Sequence, residues 1–182
     1  IYTKHPNGGG LRTLLERNNY IVHEASYGSK IGNDTDICHW NAKFRDHMDT
    51  ILRCRNQDEL FTDDTRNRIV VFKSCFPNSW IDSDGREPGD PDSCEHTTAN
   101  YKAAYNALLP YFASRPDTLF VACTAPPLAI APLAKAKNVV KLLIGRSDSY
   151  RAVGRRNRAF NAWLTDTKDG WLSKYPRKNV VV

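Results

Sequence analysis

The sequence has 182 residues, 41% hydrophobic and 25% charged, with a net charge of +6. That length suits one domain of roughly 100–200 residues and can bury a core without a metal or disulfide staple. No apolar run approaches the ~18 residues of a membrane span, which leaves no candidate transmembrane helix.

Gly8-Gly9-Gly10 opens a predicted helix with Leu11, Leu14 and Leu15 on one face, ending near Asn18-Asn19. Tyr20 to Glu24 reads as a short strand, followed by a polar, glycine-containing loop, Ser26 to Asp36. Phe44, Met48, Ile51 and Leu52 repeat as one amphipathic helix. Asn56 to Asn67 reads as a polar loop leading into Ile69-Val70-Val71-Phe72. That apolar run predicts a strand covered on both faces.

Residues 82–96, rich in Gly, Pro and Asp, predict an exposed loop. Thr97 or Thr98 caps the next helix, with Tyr101, Ala104, Tyr105, Leu108, Leu109 and Phe112 on its apolar face. Leu119 to Cys123 reads as a second buried strand, ended by Thr124-Ala125-Pro126-Pro127. The stretch 128–149 fits either a further helix or a lid. Tyr150, Val153, Asn157, Phe160, Trp163 and Leu164 mark the last helix, and Asn179 to Val182 the last strand. Alternating strands and helices argue for a three-layer α/β/α domain with a mainly parallel sheet. The first residue, Ile1, and the final strand, broken off in mid-run, carry the expectation that both ends are incomplete.

Charge is unevenly spread. Lys135 to Lys178 holds twelve Lys or Arg against three Asp or Glu. Such a patch can steer an anionic partner, but no nucleic-acid motif accompanies it, so a solvated helix face is the simpler reading. The five cysteines, Cys38, Cys54, Cys75, Cys94 and Cys123, lack metal-ligand spacing. Cys38 can pair with Cys54, and Cys75 with Cys94; an odd count leaves at least one thiol free. His23, His39, His47 and His96 are scattered singly, and no metal site is expected.

Ligands of open α/β sheets bind at the carboxyl ends of the strands, here loops 25–36, 73–80 and 124–128. Gly28 and Gly32 let the backbone present N–H groups to a developing oxyanion, and Asn78 can add a side-chain N–H. Ser74 and Ser79 carry hydroxyls in the same loop. Turns favour Gly, Asn and Ser for structural reasons as well.

The string Phe72-Lys73-Ser74-Cys75-Phe76-Pro77-Asn78-Ser79 resembles a turn of uncharacterised SGNH-like (GDSL-like) hydrolases. Tyr27-Gly28 with Thr35-Asp36-Ile37 and Trp40, Thr124 to Leu128, and Arg158 to Leu164 are similar to other parts of that family. The resemblance implies a flavodoxin-like fold and hydrolysis of acyl or acetyl esters, often on carbohydrates or lipids, without a cofactor. It implies an oxyanion hole at Gly28 and Asn78, with Gly32, Asp36, Ser74 and His5 as substrate-contacting candidates. The family's nucleophilic serine and its Asp-x-x-His base have no counterpart between Ile1 and Val182. Two expectations follow: an esterase whose nucleophile and base lie outside these residues, or an inactive relative binding a partner through its basic segment 135–178. Paired cysteines and carbohydrate esters favour a secreted location.

Overall fold

The computed structural model describes residues 10–126 and 150–182. In chain order the elements are α1 (Leu11–Arg17), α2 (Trp40–Asp46), α3 (Met48–Arg53), β1 (Cys54–Asn56), β2 (Glu59–Leu60), β3 (Ile69–Phe72), α4 (Thr98–Ala113), β4 (Leu119–Ala122), α5 (Tyr150–Thr165) and β5 (Val180–Val181). Short 3-10 turns at Ile37–His39 and Phe76–Ser79 join them.

The β-branched and aromatic runs around 70, 120 and 180 pair as a parallel sheet ordered β3-β4-β5, with Phe72 opposite Ala122 and Phe120 opposite Val180. Alternation sends Val70, Phe72, Phe120, Ala122 and Val180 to one face, where α2 and α4 pack. There Phe112 of α4 stacks on Phe120 with ring centroids 4.1 Å apart, and Phe44 of α2 meets Phe72, Phe112 and Phe120 edge-on. These aromatic contacts add to simple area burial. Helix α4 begins where extended Thr97 accepts the N–H of Asn100 with its side chain, satisfying one orphan donor of the first turn. Trp171 Nε1 closes the core by donating to the Tyr105 carbonyl.

The opposite face differs from expectation. Ile69, Val71 and Val181 are exposed, so β3 is not covered on both faces by the described residues. Helix α1 has its leucines on one side but buries none of its residues. The mixed α/β character and parallel sheet stand, with Phe44 of α2 and Phe112 of α4 packed on the sheet.

Three local expectations are corrected. Among the described residues Tyr20 to Glu24 forms no strand: only Glu24 pairs, in a single parallel bridge to Asn56, and Tyr20 and Ile21 are exposed. The helix from Phe44 to Leu52 is broken at His47, whose φ of −122° and ψ of 18° leave the helical region. The predicted loop 56–67 holds the turn at Gln57, φ 54°, and the strand β2, which pairs back on β1 as a hairpin.

Cysteine pairing is corrected too. Cys38 bonds to Cys94, 56 residues away, while Cys54, Cys75 and Cys123 are free. Proximity created by packing, not spacing along the chain, selects the pair. The bridge ties loop 82–96 to the 3-10 turn at Ile37–His39. Among the described residues no helix is long and apolar enough to cross a membrane.

Candidate functional site

Two of the predicted loops meet at the carboxyl end of β3. The Cys75 N–H donates to the Thr35 carbonyl, joining loop 73–80 to loop 25–36. Asn78 completes the junction: its Nδ2 donates to Asp36 Oδ1 at 2.6 Å, and its Oδ1 accepts the Ile37 N–H at 2.8 Å. Pro77 and the 3-10 turn Phe76–Ser79 set this position, leaving Asn78 only 1% exposed. Asp36 and Ile37 thus start the turn that carries Cys38.

Loop 25–34 is held from all sides. Gln57 brackets Ser26, accepting its N–H with Oε1 and donating to its hydroxyl with Nε2. The Lys30 N–H donates to Asp58, and the Lys43 ammonium donates to the carbonyls of Ile31, Asn33 and Asp34. Burial lowers the Lys43 pKa, with the Asp34 charge opposing the shift. Gly28 has φ 104°, a conformation open to glycine, and its N–H donates to Asn33 Oδ1. Gly32 packs so tightly that an added Cβ would lie 1.9 Å from the Ser26 carbonyl oxygen, and its N–H donates to Ser29 Oγ.

The backbone donor of Gly28 and one side-chain donor of Asn78 are therefore engaged within the protein. The structure brings Asp36, Ser74 and Asn78 to one junction, whereas Gly28 and Gly32 belong to the adjoining self-bonded loop. Ser74 is 2% exposed and its backbone carbonyl accepts from Lys73 Nζ. His5 and the stretch 127–149 lie outside the described residues.

Beyond β4, Cys123 donates its N–H to the Phe72 carbonyl, which brings it beside Lys73. Burial pushes the Cys123 thiol pKa up and the Lys73 charge opposes it. Asn161 of α5 donates to the Ala125 carbonyl, fixing the chain just after the strand. Tyr101, whose pKa is raised first by burial and then by the Asp36 and Asp82 charges, lies within electrostatic reach of the junction. Its hydroxyl, Ser79 Oγ and Asn157 Nδ2 are buried without hydrogen-bond partners among the described residues. Buried polar atoms are normally paired, so these three mark polar interior beneath the sheet's carboxyl edge. Sequence periodicity places Tyr101 on the apolar face of α4 and Asn157 on the mixed face of α5; a polar atom at a core position is the available signal.

A groove of about 540 Å³ lies elsewhere, between α4 and residues 169–176, lined by Leu109, Pro110, Trp163 and Tyr175. Asn179, just before β5, donates to the Phe112 and Arg115 carbonyls at that end of α4. The groove therefore flanks the amino ends of the strands, away from the junction.

Fold and junction together define an α/β protein with a parallel sheet and a polar carboxyl edge. No family model matches the chain, and no curated protein and no solved structure is significantly similar to it.

Proposed function

We propose that the chain is the α/β body of an SGNH-type ester hydrolase acting on acyl or acetyl esters, carbohydrate esters among them. The observation carrying this reading is the hydrogen-bonded meeting of Thr35–Ile37 with Cys75–Asn78 at the carboxyl end of β3, where open α/β sheets bind ligands. The nucleophile and base come from outside the described residues. Asn78 keeps its second amide hydrogen for an oxyanion, while the first positions Asp36.

The test is a fluorophosphonate probe on the natural protein, followed by hydrolysis of p-nitrophenyl acetate. A single covalent adduct and turnover are expected. Asn78→Ala should lower kcat by roughly 10²–10³ with KM little changed. Absence of both adduct and turnover overturns the hydrolase reading, and wild-type kcat in the variant removes Asn78 from the oxyanion role.

A second reading is favoured by one feature of α5. Arg151, Arg155 and Arg158 are all exposed and fall on one helical face. A non-catalytic protein would use this stripe against a polyanion. Heparin binding that weakens steeply with salt is its expected signature; no retention at low salt ends it.

A further inference from the structure

Cys38, His39 and Cys94 gather at a place used by neither functional reading. One potential ligand atom from each lies within 4.8 Å of the others. Cys38 is buried, His39 half-buried, and Cys94 exposed. The His39 Nδ1 is buried and has no hydrogen-bond partner among the described residues, leaving an imidazole nitrogen whose donor or acceptor capacity they do not use.

In the oxidised chain the two sulfurs are bonded to each other and offer no thiolate. A dithiol reductant changes that. Its thiolate attacks the exposed Cys94 sulfur, breaking the Cys38–Cys94 bond and expelling Cys38 as a thiolate. The reductant's second thiol, as its thiolate, then attacks the mixed disulfide and releases Cys94. Two electrons pass to the protein, which takes up two protons as two thiols, and the reductant ends as its own disulfide.

We propose that the reduced cluster is a redox-gated site for one zinc-class divalent ion. Cys38 and Cys94 bind as thiolates, releasing their two protons to solvent. An imidazole nitrogen of His39 is the third ligand, and water takes the fourth position. Two sulfurs and one imidazole form a donor set suited to zinc. Cys94, on the exposed loop 82–96, supplies the entry path, and its loop absorbs the separation of the sulfurs from bonding to coordinating distance. Cys38 follows Ile37, whose N–H is held by Asn78, so the ion and the carboxyl-edge junction share one turn. The proposal does not depend on the hydrolase reading.

The experiment uses the full chain, reduced anaerobically with a phosphine and titrated with Co²⁺. One equivalent should bind with a thiolate-to-cobalt charge-transfer band, absent from the oxidised chain. The Cys38→Ser/Cys94→Ser double variant keeps Cys54, Cys75 and Cys123; the band should vanish there, and its persistence overturns the proposal. Loss of a partner behind a ligand already costs about 10–100-fold in metal affinity. His39→Ala, which keeps both cysteines, should therefore weaken Co²⁺ binding by at least about tenfold. Unchanged affinity in that variant overturns the assignment of His39. Binding and folding are coupled, so near-UV circular dichroism of the reduced chain should be native-like with Co²⁺ present. An unfolded reduced chain that Co²⁺ fails to restore also overturns the site.

Discussion

Asn78 donates to Asp36 at 2.6 Å across 42 positions of sequence, using a side chain almost wholly inside the protein. The same amide accepts the Ile37 N–H, so one side chain holds both the charged and the backbone group that open the following turn. Truncation leaves a buried N–H and a carboxylate oxygen without this partner. Asn78→Ala should cost about 2–6 kcal/mol, from two bonds whose loss costs roughly 1–3 each. In urea the midpoint should fall with an unchanged slope; a wild-type midpoint sinks the structural role.

The Cys38–Cys94 bridge closes a long loop, with 56 residues of separation. The chain-entropy model puts the effect of such a loop at about 4 kcal/mol. Metal-free Cys94→Ser should lose stability of that order, measured by thermal or urea unfolding. A loss under roughly 1 kcal/mol would mean that the unfolded chain is not restrained by the bridge.

Gly32 tests how tightly loop 25–34 is closed. A methyl at this position meets the Ser26 carbonyl, part of the backbone that Gln57 holds in place. Gly32→Ala should cost about 1–3 kcal/mol through backbone displacement. Gly28→Ala meets no neighbouring atom and acts through φ alone, so it should be milder, near 1 kcal/mol. Equal stability of Gly32→Ala and wild type would show that the loop yields freely.

Tyr101 and Tyr105 are buried, and burial raises both phenol pKa values. In the unfolded chain they ionise near pH 10. The raised folded values give stability that is complete below about pH 10 and is lost as pH climbs above it. Phenolate absorbance of these two residues should therefore appear together with loss of near-UV circular dichroism. Difference titration of Tyr101→Phe and Tyr105→Phe identifies the signals, and titration ahead of unfolding contradicts the prediction.

At neutral pH the unpartnered Tyr101 hydroxyl carries a desolvation cost with no hydrogen bond to offset it. Tyr101→Phe should hold or gain stability, by up to about 1 kcal/mol. A loss above that size would reveal a polar contact that this hydroxyl makes in solution.

What could be read from the sequence was what depends on near neighbours. The face of α4, from Tyr101 to Phe112, follows from helical spacing, and the apolar runs at 69–72 and 119–122 become strands. Asn78 and Asp36 could be picked out as polar residues in turns, but not as partners. Their contact depends on how two loops approach in space, as does the pairing of Cys38 with Cys94. The break at His47 leaves no mark in the sequence because apolar periodicity continues through it. The Gln57 turn is equally hidden, because the hairpin it joins has strands of three and two residues, too short to show alternation.

Strand β3 has a further consequence for exchange with solvent. Its Arg68 and Phe72 carbonyls accept from Leu119 and Cys123, so the alternation of a parallel ladder turns the amides of Val70 and Phe72 toward β4 and those of Ile69 and Val71 outward. Deuterium uptake along these four residues should therefore be fast, slow, fast, slow. Any strand that joins this edge must bond through Ile69 and Val71, and would lengthen the lifetimes of those two amides alone.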